Sequence, residues 1–201
     1  WKSDRPAMVV SSTSWTPDED FSVLLEAARL YDQAAVQAGS TGPQLPAVLF
    51  LITGKGPQKA MYLEKLRSMK FSRVAFRTLW LEPGDYPRLL GAADVGVSLH
   101  ASSSGLDLPM KVVDMFGAGL PVCALAYSCI GELVAEGETG LTFTSPQQLS
   151  QQLQQLLAGF SPTTPGKLLQ KLQAGVRDRE QSLRWANNWQ QVAWPVLRPQ
   201  R

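Results

Sequence analysis

The chain has 201 residues, 44% hydrophobic and 18% charged, which is enough apolar mass for one compact domain or two small ones and excludes wholesale disorder. Lys and Arg total 19 and Asp and Glu total 17, a net charge of +2 that is too balanced for a nucleic-acid binder or a protein held on an anionic membrane. Two cysteines, Cys123 and Cys129, make neither a disulfide framework nor a four-ligand zinc set, and one histidine, His100, excludes a multi-His metal site.

No apolar run approaches the ~20 residues of a membrane span. The chain starts at Trp1, and no signal peptide precedes the first apolar segment, so it reads as the interior or C-terminal part of something longer.

Along the chain, Ala7-Met8-Val9-Val10 is a short buried strand opening into the polar loop Ser11 to Ser14. Thr16-Pro17-Asp18-Glu19 then has the form of a helix start, with Thr16 as cap, Pro17 in the first turn and Glu19 closing a capping box. Phe21, Leu24, Leu25 and Ala28 give one apolar helical face. Ala47 to Ile52 is apolar without alternation, as a parallel strand covered on both faces requires. Gly54-Lys55-Gly56-Pro57 follows, and a helix runs to about Met69. Val74 to Phe76 is a third strand, and Leu79-Trp80-Leu81 leads out of it.

Asp85 is placed to cap a helix carrying Tyr86, Leu89 and Leu90, and Asp94 to His100 is a fourth strand. The small-residue loop Ala101 to Gly105 leads to a helix beginning near Pro109. Leu120 to Ala124 is a fifth strand, Ile130 to Glu136 a short helix, and Gly140 to Phe143 a sixth strand. Ser145-Pro146 starts another helix, and everything after it reads as helix, broken around Ser161 to Gly166. Trp185, Trp189 and Trp194 on the last helix read as packing residues, or as a face toward a missing domain. The alternation predicts an α/β fold: a parallel, Rossmann-like sheet of about six strands flanked by helices, with its ligand outside the C-terminal strand ends.

Two constellations carry chemistry. Gly54-Lys55-Gly56-Pro57 offers free amides and a cation at a strand-to-helix turn, which fits a phosphate or simply a tight turn with a solvated lysine. It is neither a P-loop nor a dinucleotide fingerprint. The stronger feature runs from Ser102 to Asp114: small residues that let a ligand approach the backbone, a helix N-terminus, and Asp107 and Asp114 seven residues apart, which could share one helical face. A carboxylate suits the neighbouring hydroxyls of a sugar or ribose; the plainer reading makes Asp107 a cap and Asp114 a solvated residue. His100 fits a phosphate or sugar oxygen, or a backbone carbonyl. Cys123 reads as a core residue and Cys129 as exposed.

With these motifs in place the chain resembles the C-terminal, donor-binding half of GT-B glycosyltransferases. The blocks Ser11 to Thr16, Ile52 to Pro57 and Leu99 to Gly117 are similar to the chitobiosyldiphosphodolichol β-mannosyltransferase family. The resemblance covers Arg5 to about Leu197. It implies GDP-mannose as donor and dolichol-linked chitobiose as acceptor, engaged through an N-terminal half absent here, with one mannose transferred by inversion to a β1,4 linkage in N-glycan precursor assembly. It implies no cofactor, no metal and no nucleic acid. It places the protein on the cytosolic face of the endoplasmic reticulum membrane, with an anchor outside this chain and association with other dolichol-pathway mannosyltransferases.

Carried over residue by residue, Asp107 would contact mannose hydroxyls and Asp114 the ribose. The amides of Ser103, Ser104, Gly105 and Leu106 would approach sugar and diphosphate, with Ser12, Thr13 and His100 bordering the donor. Both acids are Asp where many relatives have Glu, and Asp107 stands one position closer. The basic residues usual after the first strand are absent, which leaves Lys55 and Lys111 to meet the diphosphate. No general base can be named, because that group usually comes from the N-terminal half.

The expected layout is a nucleotide-sugar-binding domain over residues 5–160 and a C-terminal helical extension over 161–201 packing on it. The alternative is a half-length, inactive relative that binds a nucleotide or a partner protein. A third reading, an NAD-dependent oxidoreductase, lacks the Gly-x-Gly-x-x-Gly motif.

Overall fold

A computed structural model describes residues 5–41, 44–101 and 104–198. Its strands are β1 (Ala7–Ser12), β2 (Val48–Thr53), β3 (Val74–Leu79), β4 (Val95–Ser98), β5 (Val122–Leu125) and β6 (Gly140–Phe143). They pair in parallel in the order β3-β2-β1-β4-β5-β6. The helices are α1 (Phe21–Thr41), α2 (Lys59–Ser68), α3 (Tyr86–Ala92), α4 (Met110–Gly117), α5 (Pro146–Leu157), α6 (Lys167–Leu183), α7 (Trp185–Asn188) and α8 (Trp194–Leu197). The six-stranded parallel α/β sheet is the one the alternation predicts.

β1 shows why these strands lack alternation. Ala7 and Val9 face one apolar cluster, which α1, α5 and α6 cover, while Val10 joins a second cluster with Leu90 of α3 and Val112 and Met115 of α4. A strand buried on both faces has no side for water. The chain builds β1, β2 and β3 in one direction and then returns past β1 to place β4. That reversal leaves a crevice beyond the C-terminal ends of β1 and β4, where such sheets bind ligands.

The other end of the sheet is held by charge. Asp94 accepts two bonds from the Arg5 guanidinium, at 2.7 and 2.9 Å, and a third from the Met8 amide, tying the starts of β1 and β4 together. Asp94 therefore precedes β4 instead of beginning it. Asp32 of α1 accepts from the amides of Ser72, Arg73 and Val74 and so closes the start of β3.

Several local expectations need correction. Residues 16–19 form a turn, and α1 starts at Phe21, where Asp20 accepts from the Ser22 amide at 2.9 Å. Glu19 closes no capping box; its carboxylate turns inward. Asp85 precedes α3, but its carboxylate bonds Arg88 and caps no amide. β3 extends to Leu79, and the helix expected over Ile130 to Glu136 is a single 3-10 turn at Ile130–Glu132. Cys129 is buried, like Cys123.

Ser145 caps α5 as expected, accepting from the Gln148 amide. α6 packs through Leu169, Leu172 and Val176, and the chain breaks a second time at Arg184. Trp185 and Trp189 then stack with ring centroids 5.3 Å apart, yet Trp185 is 75% exposed and Trp194 47%. These tryptophans pack far less than expected. Among the described residues no helix is long and apolar enough to cross a membrane.

Candidate functional site

The floor of the crevice is main chain against main chain. The Thr13 amide donates to the Thr53 carbonyl at 3.0 Å, and the Gln58 amide to the Trp15 carbonyl at 3.0 Å. Gly54, at φ +112°, lies under the Thr13 carbonyl, and Gly56 under that of Ser14; a Cβ on either would collide with that oxygen. The Gly-Lys-Gly-Pro turn is thus first a place where two loops touch without side chains between them.

Trp15 closes this floor. It sits at φ +52°, a conformation that costs a bulky residue about 1–3 kcal/mol. Its buried indole packs on Phe21, with centroids 4.6 Å apart, and on Tyr62, which holds the strained residue in place.

Side chains surround the floor. Ser12 Oγ accepts from Thr53 Oγ1 at 3.0 Å and shares a 2.9 Å bond with the Tyr86 hydroxyl. The Tyr86 phenol is pushed above its ordinary pKa, by burial first and by the Asp114 charge as well. Tyr86 stands on α3 and Asp114 on α4, and the Asp114 charge acts on the Tyr86 phenol. Thr13 is buried and gives its hydroxyl to Glu19 at 2.7 Å. The Lys55 ammonium lies 3.7 Å above the ring of Trp80, which is 61% exposed. Trp80 is the lysine's neighbour from the end of β3.

The opposite wall is the loop between β4 and α4. Ser102 and Ser103 lie outside the described residues. Ser104 Oγ accepts from the Leu106 amide, and the Ser128 hydroxyl donates to the carbonyl of Gly105, which sits at φ +67°. His100 Nε2 and Asp107 Oδ2 are 2.9 Å apart, and Tyr127 donates to the Asp107 carbonyl at 2.9 Å. Burial, then the Cys129 and Asp107 charges, raise the Tyr127 phenol to about 12. Leu106 is 79% exposed at the rim.

Asp107 precedes the first helical residue, Met110, so it and Asp114 do not share a helical face as the spacing allowed. Asp107 belongs to the loop and pairs with His100. Asp114 stands on α4, exposed, and among the described residues no hydrogen bond or ion pair holds its carboxylate.

Lys111 joins the two walls. Its ammonium donates to Glu19, whose other oxygen accepts from Thr13 Oγ1, the Ser14 amide and Ser14 Oγ. Glu19 is 2% exposed by its side chain and Lys111 31%. Burial pushes the Glu19 pKa up, but the bonds from Lys111, Thr13 and Ser14 outweigh it and hold the carboxyl below its ordinary value. The sequence gives one hint of this pair: a lysine in the first turn of a helix opposes the helix dipole and calls for an anion nearby. That anion lies 92 residues away, and local pattern could not identify it.

The described crevice offers an exposed carboxylate, two cations, a small-residue loop and a helix start, a set suited to a diphosphate carrying a diol. A sequence profile of the family described as Glycosyl transferases group 1 matches residues 6–159. The chain belongs to this glycosyl transferase family.

Its relatives are close in sequence. This glycosyl transferase domain is 54% identical to the "UDP-glycosyltransferase TURAN" of Arabidopsis thaliana, over 98% of this chain and 44% of that protein. It is 50% identical to the chitobiosyldiphosphodolichol beta-mannosyltransferase of Mus musculus, over 96% of this chain and 39% of that one. The human protein of the same name is 48% identical over 96% of this chain and 40% of its own length. The chain thus spans about two fifths of these relatives.

Solved structures agree on the fold. Anabaena Alr3699/HepE in complex with UDP aligns at TM-score 0.65 and 18% identity, covering 95% of this chain and 48% of that one. The C-terminal domain of a Francisella tularensis glycosyl transferase group 1 protein aligns at TM-score 0.60 and 16% identity, covering 89% and 85%.

Proposed function

We propose that this glycosyl transferase domain binds GDP-mannose for transfer of mannose to dolichol-diphosphate-linked chitobiose. The observation that carries the reading is Asp114, an exposed carboxylate on α4 whose charge acts on Tyr86, with Lys111 one turn before it. In this reading Asp114 spans the ribose hydroxyls and Lys111 meets the diphosphate. The backbone from Ser104 to Leu106 lies along the sugar and Asp107 reaches its hydroxyls, with His100 behind it; Ser103, the other amide assigned to this role, lies outside the described residues. Lys55 waits beside Trp80 for the leaving nucleotide. Ser12 and Thr13 support the floor more than they reach the ligand, since their hydroxyls already have partners.

The transfer would form a bond between an acceptor hydroxyl oxygen and the mannose anomeric carbon and break the bond from that carbon to the diphosphate. GDP leaves, and the acceptor's proton passes to a base on the acceptor-binding half of the longer enzyme. Residues 5–160 would form the donor unit and 161–201 its helical extension, whose exposed tryptophans would turn toward that half. Placement at the cytosolic face of the endoplasmic reticulum and association with other dolichol-pathway mannosyltransferases belong to the same reading. The 48–50% identity to proteins named for this reaction supports it.

The name of the Arabidopsis relative favours a second reading, a UDP-sugar donor. Calorimetry on this chain with GDP, GDP-mannose, UDP and UDP-glucose separates the two. Guanine nucleotides should bind at least tenfold tighter, and the chain alone should transfer no mannose to lipid-linked chitobiose. Tighter binding of UDP would sink the GDP-mannose reading, and turnover by this chain alone would remove the need for a second half.

A further inference from the structure

Lys111 has a feature that donor binding alone does not explain: its ammonium is already tethered. We infer that Glu19 is a positioning residue for the donor diphosphate, holding the Lys111 ammonium at the mouth of the crevice without touching the ligand itself. This rests on the reading of the crevice as a nucleotide-sugar site.

Glu19 cannot meet a ligand directly, because its side chain is buried and four donors already occupy it. Three of those donors belong to its own loop, so the carboxylate is fixed before Lys111 arrives. Lys111 is the opposite case. It sits in the first turn of α4, where the helix dipole repels a cation, and its flexible stem would otherwise swing into water. The bond to Glu19 uses one of its three N–H donors. The Lys111 side chain remains partly exposed, which leaves the other two to serve a phosphate oxygen. The same bond ties the β1–α1 loop to α4 across the strand-order reversal, and the Ala101 amide reinforces it by donating to the Asp18 carbonyl. A negative carboxylate near a diphosphate weakens the field of the lysine. The gain lies in geometry, since a phosphate met by a pre-placed donor loses less freedom on binding than one that must order it.

The test compares GDP with guanosine, which lacks phosphates, by calorimetry on the whole chain. Lys111→Met should weaken GDP about tenfold and leave guanosine unchanged. Glu19→Gln should weaken GDP at least threefold, also sparing guanosine, and the double variant should bind GDP no worse than Lys111→Met alone. Glu19→Gln binding GDP as tightly as the parent, or losing guanosine in equal measure, overturns the inference, as does a double variant whose losses multiply. Should Glu19→Gln fail to fold, Glu19→Asp serves: it should weaken GDP, and adding Lys111→Arg, whose longer reach covers the missing methylene, should restore affinity to within threefold. No recovery in that pair overturns the inference. If the parent prefers UDP, the GDP reading falls, and UDP against uridine decides the role of Glu19 by the same criteria. Binding of neither nucleotide overturns both.

Discussion

Glu19 and Lys111, 92 residues apart in sequence, form an ion pair that joins the first loop of the sheet to the helix after its fourth strand. It ties the two walls of the crevice together, and its parts can be removed one at a time.

Lys111→Met should destabilise the fold by about 1–3 kcal/mol, since it takes one of four donors from a buried carboxylate and leaves that charge without its cation. Urea unfolding measures this. A loss below about 0.5 kcal/mol would mean that the pair behaves like an exposed surface bridge.

Asp114→Asn should leave stability unchanged, because the carboxylate is exposed and unpaired among the described residues, and should weaken GDP by about tenfold or more, roughly 1.4 kcal/mol. It should weaken GDP at least as much as Lys111→Ala. Unchanged GDP affinity in a folded Asp114→Asn protein would remove the ribose assignment.

The pH dependence follows from the lowered Glu19 pKa. A carboxyl whose folded pKa lies below its unfolded value stabilises the protein fully above the unfolded value, ordinarily 4.5, and loses that contribution as pH falls through the folded one. Glu19→Gln should therefore narrow its stability deficit relative to the parent as pH drops below about 4.5. Thermal melts of both proteins between neutral pH and about pH 3 test this, and a deficit constant across the range would contradict it.

Asp32→Ala serves as a control far from the crevice. It strips a charge-assisted acceptor from three amides at the start of β3 and should cost about 2–3 kcal/mol, with GDP affinity within twofold of the parent. A large loss of binding in the folded variant would mean that the sheet transmits strain from one end to the other.

The sheet was legible in the sequence because its signals are local. The apolar run over residues 47–52, the glycine turn after it and the Ser145 cap each depend on neighbours a few residues away. What stayed hidden depends on partners brought close by the fold. Asp94 meets Arg5, Asp32 meets three amides some forty residues on, and Glu19 meets Lys111. Glu19 also misled, because Thr-Pro-Asp-Glu has the form of a capping box. The chain spends those residues on a turn, and Asp20 takes the cap instead. Asp114 is exposed on α4, and that exposure could not be read from the apolar run after it. The tryptophans after Arg184 carry helical spacing, and spacing alone does not say whether anything lies opposite them.

The glycines beneath Thr13 and Ser14 also bear on how this domain could be redesigned. Where two loops touch through their backbones, a new side chain has nowhere to go, so Gly54 and Gly56 are poor targets for redesign. Room for change lies around the rim, where Trp80 and Leu106 stand open to water. A library confined to those two positions should keep the fold in nearly every member while varying the exposed rim, whereas one that includes Gly54 or Gly56 should lose most of its members to misfolding.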